Sequence, residues 1–349
     1  MSSAPPPAAG VRVSAIVVTY RQVELTLDAL ASLAGQSHPP DEVIVVDNDP
    51  EGSALAPIRA AHPDVRVLRA DNVGYAPACN RAAAEAVGDW LFFLNPDAAA
   101  EPDCLRTLLA VAAEQPGAGV ITPQIAFADG ERVNAGENPI HLTGITWCGR
   151  FEEPLEDGPP RRVMVTTGAA MLVRASLYRK LGGYCDDFFL YYEDPDLCWR
   201  TWLVGEEVWF VPRARVRHHY SFGTGTRKWF YLERHRLLSV LTNYELSTLA
   251  VLAPLLVGTE LALLVVAGVE GWRAEKLEAY RSVWEARGWI RARRRGLARI
   301  RRRRDADLIA GFAGRIDSPQ IQSQVARRVG PLLDLYRAFA VRAVQAIGR

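Results

Sequence analysis

The sequence predicts an α/β protein with a doubly wound, mainly parallel sheet and a C-terminal helical extension. Short runs rich in Val and Ile alternate with helix-like runs over the first third of the chain. Strands that alternate with helices form right-handed βαβ units, so neighbouring strands are expected to be parallel. From about residue 247 the chain becomes apolar and then strongly basic, which predicts a separate helical region at 244–349.

The individual elements follow from apolar runs and helical spacing. Five strands are predicted in the first half: VSAIVVTY, DEVIVVDND, VRVLRA, DWLFFLNPD and GVITPQI. The helices between them are a Leu-patterned segment at 25–33, APACNRAAAEAV and CLRTLLAVAAEQ. Later runs predict a strand, a glycine break, a second strand and a short helix in RVMVTTGAAMLVRASLYRKLGGY, a strand and a Gly/Ser/Thr loop in EEVWFVPRARVRHHYSFGTGT, and a helix in RKWFYLERHRLLSVLTNY.

Composition limits the class of protein. The net charge is only +1, but the segment from Arg287 to Arg304 holds many arginines and no acid. The five cysteines are scattered without a CxxC pair, which argues against a disulfide scaffold and against a cysteine zinc site. Residues 1–10 lack the features of a signal peptide, and we expect them to be a disordered tail.

Polar side chains follow four of the predicted strands. They are Thr19-Tyr20-Arg21, Asp47-Asn48-Asp49, Asp71-Asn72 and Asn95-Pro96-Asp97. Ligands of doubly wound sheets bind beyond the carboxyl ends of the strands, so these residues mark the expected site. No glycine-rich dinucleotide or phosphate loop follows the first strand, which makes those two kinds of site poor interpretations.

Two of these carboxylates each allow two interpretations. Asp47 could accept a hydrogen bond from a pyrimidine N–H, or it could cap the helix that follows. Asp97 could hold a divalent cation beside a diphosphate, or it could begin a Pro-Asp turn. The residues alone leave both alternatives open.

His218 and His219 stand at the end of the strand predicted in EEVWFVPRARVRHHYSFGTGT. Successive side chains of a strand point to opposite faces, so we expect one of the two imidazoles to face the site. Imidazole is a common ligand of Mn²⁺ and softer ions. The alternative is that both are ordinary histidines at the edge of the core.

The stretch FFLYYEDPDLCWR carries three acids behind four aromatic residues. Asp194 and Pro195 predict a helix start, with Asp194 at the N-cap and its pKa lowered by the helix end. A carboxylate beside apolar side chains could instead remove a proton from a hydroxyl in a water-poor pocket. Both hold if one acid caps the helix while another faces the pocket.

Taken in order, the motifs resemble those of glycosyltransferase family 2, which has the GT-A fold. They are VVTYR, VIVVDND, DNVGYAPACNRA, LFFLNPDA, TTGAAMLVRASLYRKLGGYCDDFFLYYEDPDLCWRTWLVG and the His pair. The chain is most similar to the bacterial rhamnosyltransferase-like branch, and the resemblance covers residues 11 to about 243. It implies a GT-A catalytic domain at 11–243 and leaves 244–349 as a helical, membrane-associating region.

The resemblance also implies roles for individual residues. The positions that would bind the nucleotide sugar are Thr19, Tyr20, Arg21, Asp47, Asn72, Gly74, Asn80, Asn95, Gly168 and Ala169. Asp97 and His218 would hold Mg²⁺ or Mn²⁺, although Asn95 stands where many members have a further Asp. Asp194 would be the general base, with Glu193 as the alternative acid.

The implied activity is an inverting hexosyl transfer by a single in-line displacement. The donor would be a nucleoside-diphosphate sugar, with rhamnose as the sugar that the branch suggests. The acceptor would be a hydroxyl of a saccharide or of a polyprenyl-linked saccharide used in cell-envelope polysaccharide synthesis. We therefore expect a cytoplasmic protein associated with the inner face of the cell membrane.

The region after residue 243 raises a separate question. The segment 249–269 is long enough to cross a bilayer, but Glu260 near its middle would cost a few kcal/mol in a spanning helix. It could pack on the protein, lie in the membrane interface or span the membrane. The arginine cluster predicts attraction to an anionic membrane surface.

Two other classes of function are weaker interpretations. A nucleotidyltransferase would need a Gly- and Arg-rich loop after the first strand, and VVTYRQVEL lacks one. A nucleic-acid binder could use the arginine cluster, but no aromatic platform or known reading motif accompanies it. We therefore expect no nucleic-acid partner.

Overall fold

The computed structural model describes residues 10–219, 225–318 and 324–348. The described chain forms two compact units. The first holds the residues up to Asn138, Cys148–Thr201 and the segment from Glu206 to the end of the last strand. The second holds Pro139–Trp147, Trp202–Gly205 and the described residues from 225 onward. Residues 1–9 of the tail predicted at 1–10 and most of the predicted Gly/Ser/Thr loop lie outside the described residues.

The first unit is built on a mixed, mostly parallel sheet of ten strands. The strands are β1 (Val13–Thr19), β2 (Glu42–Asp47), β3 (Arg66–Arg69), β4 (Trp90–Leu94), β5 (Ala98–Ala100), β6 (Ala118–Phe127), β7 (Val133–Ala135), β8 (Arg161–Arg162), β9 (Ala170–Arg174) and β10 (Glu207–His218). Their order is β3-β2-β1-β4-β9-β6-β10-β5, with β7 beside β6 and β8 beside β10. The predicted α/β class and the C-terminal helical region are confirmed.

The pairing of the strands sets the geometry of the site. β1 runs parallel to β2 and β4, and β2 runs parallel to β3, so four carboxyl ends meet at one edge. β9 is antiparallel to β4 and β6, while β6 and β10 are parallel. Every residue of β1 and β4 is buried, as expected for strands covered on both faces.

Six helices accompany the sheet. They are α1 (Val23–Ala34), α2 (Leu55–Ala61), α3 (Tyr75–Glu85), α4 (Cys104–Glu114), α5 (Ala175–Leu181) and α6 (Glu193–Leu203). The buried residues of α1 are Thr26, Ala29, Leu30 and Leu33, so its core face has the helical spacing that the sequence predicted. α2 has only seven residues, too few for such a pattern, and no signal in the sequence predicted it.

The second unit is helical. Its helices are α7 (Arg227–Asn243), α8 (Leu246–Glu270), α9 (Arg273–Glu285), α10 (Arg287–Ile300), α11 (Asp305–Leu308) and α12 (Gln324–Ile347). α7 packs against α9 and α10. The expected boundary after residue 243 therefore differs from the observed one, because α7 clusters with the helices that follow it.

Helix α8 has the length and apolar composition that crossing a membrane requires, and little of its surface is buried. Glu260 nevertheless lies in a buried polar cluster. Its carboxylate accepts hydrogen bonds from Arg236 at 2.6 Å, Lys276 at 2.7 Å and the Tyr280 hydroxyl at 2.9 Å. Lys276 is fully buried and also donates to Glu233. Close pairing of this kind offsets the cost of burying the charges, so the Glu260 side of α8 packs on the second unit.

Candidate active site

The site begins where β1 and β2 end side by side. Thr19 pairs in register with Asp47. Both side chains are fully buried, and the Thr19 hydroxyl lies 2.7 Å from the Thr26 hydroxyl that donates to it. Asp47 accepts hydrogen bonds from the Ala54 N–H at 3.1 Å and the Asp49 N–H at 3.3 Å. Asp47 therefore holds the loop that leads into α2, as in the capping alternative.

Asp49 is the acid of this edge to which the sequence analysis gave no individual role. Its carboxylate is buried, and its Oδ1 accepts hydrogen bonds from the Arg21 guanidinium at 3.3 Å and the Glu51 N–H at 3.3 Å. Its Oδ2 is buried, and a side-chain hydrogen bond with Ser53 is the main cause that lowers the pKa of the Asp49 carboxyl. Arg21 has a φ of +59° and lies 5.3 Å from the centre of the exposed Tyr20 ring. Tyr20, Arg21 and Asp49 thus form one polar corner.

Asn72 and Gly74 lie in a tight loop before α3. The Asn48 side chain holds this loop, because it accepts from the Val73 N–H at 3.0 Å and donates to the Gly74 carbonyl at 3.3 Å. Gly74 has a φ of +98°, and a Cβ there would lie 2.6 Å from the Phe189 carbonyl oxygen. Glycine is therefore required by close packing against the segment that leads to α6.

The Asn80 amide is fully used inside the protein. Its Nδ2 donates to the Tyr184 carbonyl at 2.9 Å and to Asp186 at 2.6 Å. Its Oδ1 accepts from the Tyr178 hydroxyl at 2.5 Å and the Tyr184 N–H at 2.9 Å. These four bonds tie α3 to the loop after α5, and they leave Asn80 no free bonding position for a ligand.

A chain of hydrogen bonds links the end of β4 to the start of α6. The Asn95 N–H donates to the Ala169 carbonyl at 2.9 Å. The neighbouring Gly168 N–H donates to Oδ2 of Asp194 at 2.7 Å. A Cβ on Gly168 would lie 3.3 Å from the Asp194 Cβ, which is tighter than ordinary van der Waals contact. Backbone from 168–169 therefore positions the Asp194 carboxylate beside the loop that carries Asp97.

The environment of Asp194 differs from our expectation in two ways. α6 begins at Glu193, so Asp194 lies in the first turn rather than at the N-cap. The predicted fall in its pKa is wrong, because burial raises the pKa of Asp194 to about 7 and outweighs the hydrogen bond from Gly168. Asp194 keeps part of its surface exposed, so it stays within reach of a ligand.

Glu193 is the more deeply buried acid of the pair. Its Oε2 has no donor within the described part of the chain. Burial raises the pKa of Glu193 well above its usual range, and the adjacent Asp194 carboxylate raises it further. Glu193 is therefore mostly protonated near neutral pH.

The third acid of the stretch has a structural role. Asp196 is fully buried and accepts a 2.8 Å hydrogen bond from Arg200, one helical turn later. The same guanidinium donates to the carbonyls of Leu181 at 2.9 Å and Gly183 at 3.0 Å. Asp196 and Arg200 thus fix α6 against the end of α5.

Two residues before the acids have strained backbone. Tyr191 has a φ of +69° and Tyr192 a φ of +73°. Non-glycine residues rarely adopt this left-handed region, and each costs on the order of 1–3 kcal/mol. The strain sits directly before the turn that presents Glu193 and Asp194.

Asp97 and His218 lie together at the other side of the site. The His218 Nε2 is 3.1 Å from Oδ1 of Asp97, and its Nδ1 is 3.0 Å from Oδ1 of the buried Asn134. His219 is exposed, and its backbone N–H donates to the Asp97 carbonyl at 2.8 Å. The two histidines therefore point apart, and His218 faces the aspartate.

The Asp97–His218 pair suits a divalent cation. An Nδ1–H that donates to Asn134 leaves the Nε2 lone pair directed at a carboxylate oxygen. The 3.1 Å between the His218 Nε2 and the Asp97 Oδ1 is the separation expected for two neighbouring ligands of one metal ion. Each bond from ligand to metal would then be about 2.1 Å long. The described residues contain no cluster of three or more metal-binding side chains, so water or substrate oxygens would complete the shell.

The structure thus collects most of the predicted site at one edge of the first unit. Thr19 and Asp47 are buried there and bond to neighbouring protein groups. The Asn80 amide is hydrogen-bonded to the loop after α5. Asn134 was missed as a site residue, while Asn48 and Asp49 were expected at the site but were given no role of their own. Asn134 lies in the stretch at 128–162, which gave no sequence assignment. Asn48 and Asp49 are adjacent to Asp47, and only burial and bonding distinguish them.

Comparison with known proteins finds a family model that matches the N-terminal part of the chain. The family model described as Glycosyl transferase family 2 matches residues 14–182. The N-acetylglucosaminyl-diphospho-decaprenol L-rhamnosyltransferase of Mycobacterium tuberculosis (strain ATCC 25618 / H37Rv) is 29% identical over 246 residues. This match covers 63% of the present chain and 80% of the relative.

Two solved structures share the fold. GalNAc-T7 with UDP, GalNAc and Mn²⁺ matches 70% of this chain and 50% of its own, with a TM-score of 0.55 and 16% identity. The mannosyltransferase PcManGT from Pyrobaculum calidifontis, in complex with GDP-Man and Mn²⁺, matches 99% of this chain and 88% of its own. Its TM-score is 0.50 and its identity is 17%. The chain thus spans half the length of the first structure, and the expected GT-A fold is confirmed.

Proposed function

Residues 14–182 are a glycosyl transferase family 2 domain, and we propose that the chain is an inverting glycosyltransferase. It moves a sugar from a nucleoside-diphosphate donor to a hydroxyl group of a saccharide acceptor. The observation that carries the proposal is the Asp194 carboxylate, held by the Gly168 N–H and linked through Ala169 to the loop that carries Asp97.

Asp194 is the proposed general base. A base must be ionised near the working pH and must still bind a proton well, and a pKa raised toward neutrality meets both needs. Asp194 takes the proton from the acceptor hydroxyl as that oxygen attacks the anomeric carbon. The bond to the diphosphate breaks on the opposite side of the sugar, so one displacement inverts the configuration.

Asp97 and His218 are the proposed ligands of Mg²⁺ or Mn²⁺. Such an ion supplies positive charge to the diphosphate leaving group when it is bound. Asn134 accepts a hydrogen bond from the outer imidazole nitrogen and so fixes the ring. The Mn²⁺ of the two fold relatives supports the proposal of a divalent ion.

The nucleoside end of the donor is proposed to lie at the corner of Tyr20, Arg21 and Asp49. The exposed Tyr20 ring offers a surface on which a base can stack. The Asp49 carboxylate at this corner is the proposed acceptor of one N–H of the base. Asn72 and the loop held by Asn48 lie next to this corner. Asp47 is buried and accepts a hydrogen bond from the Asp49 N–H.

The sugar and acceptor are proposed from the relative that acts on a lipid-linked saccharide. The name of the M. tuberculosis protein gives L-rhamnose as the transferred sugar and a diphospho-decaprenol glycan as the acceptor. We propose rhamnose and a polyprenyl-diphosphate acceptor for the present chain. The reaction then takes place at the inner face of the cell membrane, in the synthesis of cell-envelope polysaccharide.

A donor screen tests the proposal. The purified chain is heated with UDP-, GDP- and dTDP-linked sugars, each with Mn²⁺, with Mg²⁺ and with a chelator. We expect dTDP-rhamnose to raise the melting temperature most, and only when a metal is present. A protein that no nucleotide sugar stabilises under any of these conditions would overturn the assignment.

A further inference from the structure

A cavity lies in the helical unit, where α8 begins. It has a volume of about 600 Å³ and is lined by six arginines and by Glu245, Leu246 and Ser247. The arginines are Arg294, Arg295, Arg301, Arg302, Arg303 and Arg304. We call this cavity the arginine pocket. Its lining carries far more positive than negative charge.

Most of these arginines are not neutralised by acids. Arg301 pairs with Asp305 at 3.0 Å, and Arg304 lies 3.4 Å from Glu245. The other four have no carboxylate partner within the described residues, and Arg294 donates to backbone carbonyls instead. Burial and the nearby charge of Arg301 lower the pKa of Arg294. An anion in the pocket would relieve this repulsion.

An uncharged surface starts at the rim of the same pocket. Leu246 lines the pocket and is 71% exposed. The large exposed side chains that follow along α8 are all apolar: Val257, Leu261, Val265, Val266 and Val269. No charged side chain lies on the exposed face of α8 before Glu270. This apolar face is about 35 Å long.

Helix α12 packs beside α8 and adds further exposed apolar side chains to this face. The Tyr336 hydroxyl donates to the Val251 carbonyl of α8 at 2.7 Å, so the two helices pack together. Leu332, Leu335 and Phe339 of α12 are each more than half exposed. An exposed apolar surface of this size marks a site of interaction.

We propose that the arginine pocket holds the phosphate of an anionic membrane lipid whose chains lie along the apolar face of α8. The pocket supplies charge-assisted hydrogen bonds to phosphate, and arginine suits this geometry. The apolar face takes the chains, since lipid is the one ligand that joins an anionic head to a long apolar tail. Both features lie in the helical unit, so the inference does not depend on the transfer reaction.

The ionic cluster around Glu260 determines which side of α8 can contact a membrane. It ties one side of α8 to Arg236 and Lys276, so only the opposite side is free for lipid. With Glu260 held in this cluster, α8 lies in the interface with its axis along the membrane surface. A spanning helix would have to break these ion pairs.

Vesicle sedimentation tests the inference. The full chain is mixed with vesicles of phosphatidylcholine, alone or with phosphatidylglycerol. We expect binding only to the anionic vesicles, and weaker binding at high salt. The pair Arg295→Gln and Arg302→Gln should reduce this binding roughly 30-fold, because each arginine near an anionic surface contributes roughly 5-fold.

Matched variants separate the pocket from charge in general. Arg291→Gln with Arg299→Gln removes the same charge from exposed positions of α10 outside the pocket and should reduce binding much less. Equal losses in the two pairs would overturn the assigned pocket. Leu261→Gln with Val265→Gln should abolish binding, while Val87→Gln, exposed in the first unit, should leave it unchanged.

Inorganic diphosphate distinguishes a lipid from a soluble phosphate compound. We expect it to raise the melting temperature only slightly, and to compete poorly with anionic vesicles. Strong stabilisation by diphosphate, together with vesicle binding that the α8 variants do not change, would show a soluble ligand and overturn the proposal. Unchanged melting of each variant without ligand shows that the fold is intact.

Discussion

The Gly168 N–H donates a 2.7 Å hydrogen bond to the Asp194 carboxylate. This bond joins two segments that lie 26 residues apart in the chain. It also stabilises the ionised form of an acid that burial would otherwise keep protonated. The hydrogen bond therefore both orients the proposed base and limits the rise of its pKa.

Replacing Asp194 by Asn should remove the base and keep the geometry. The amide oxygen can still accept the Gly168 N–H, so the fold and donor binding should be preserved. We expect kcat to fall about 10²–10⁴-fold, the range for loss of a general base. Product formation and donor-induced melting shifts measure the two effects. Asp129→Asn, on an exposed turn, is the matched control. Normal turnover by the Asp194 variant would exclude the assignment.

The pH profile of kcat/KM should report the raised pKa of Asp194. The base acts only when ionised, so the rate should increase with pH and level off above about 7. If the base had the pKa of an ordinary aspartate, the rate would instead rise near pH 4. Initial rates between pH 5 and 9 at fixed metal concentration provide the check. A rate that is already constant at pH 5 would contradict a buried carboxylate base.

Replacing His218 by Ala should weaken metal dependence. The variant loses the side chain next to Asp97, so the concentration of Mn²⁺ needed for half activity should rise at least tenfold. His219→Ala is the control, since its side chain points away from Asp97. Metal titration of activity and of nucleotide-induced melting shifts would show the difference. Equal effects of the two histidine variants would argue against the Asp97–His218 site.

Asn134 offers an independent test of the same site. Its side-chain oxygen lies 3.0 Å from the outer nitrogen of the His218 ring, and loss of such a partner usually costs 10–100-fold in metal affinity. Asn134→Ala should therefore raise the Mn²⁺ requirement and change KM for the donor little in saturating metal. A variant with the normal Mn²⁺ requirement and a lowered kcat would show a merely structural role.

Glu193→Gln should stabilise the protein at alkaline pH and preserve transfer. The folded-state pKa of Glu193 is raised from 4.5 to about 8. Its contribution to stability is therefore fully present below pH 4.5 and is lost as pH rises through about 8. At pH 9 the free energy of unfolding of the variant should exceed that of the wild type by about 1–3 kcal/mol, so the variant should melt a few degrees higher. At pH 4 the two proteins should melt at nearly the same temperature. Inactive Glu193→Gln would point to Glu193 as the base.

The sequence predicted the sheet well because its strands are buried on both faces. Such strands are continuous apolar runs, as in the all-buried WLFFL of β4, and turn residues bound them clearly. The polar side chains at their ends then follow from topology. Asp97 and His218 are 121 residues apart in the chain, and they meet because β10 pairs with β5 directly after Asp97.

Other features depend on packing that no local pattern encodes. β8 has two residues and β7 three, too few for a periodic signal. The prediction that Asp194 begins α6 relied on the preference for Asp before Pro, but the structure starts the helix at Glu193. The pKa of Asp194 was predicted from the helix end alone, whereas desolvation by the surrounding chain dominates it.

The backbone at Tyr191 and Tyr192 has a consequence for heat inactivation. Two adjacent residues in the left-handed region store conformational energy that the surrounding packing must hold in place. Local opening of this turn releases that energy, so it should need less heat than cooperative unfolding of the sheet. We therefore expect catalysis to disappear on warming while the sheet is still intact, with full recovery on cooling.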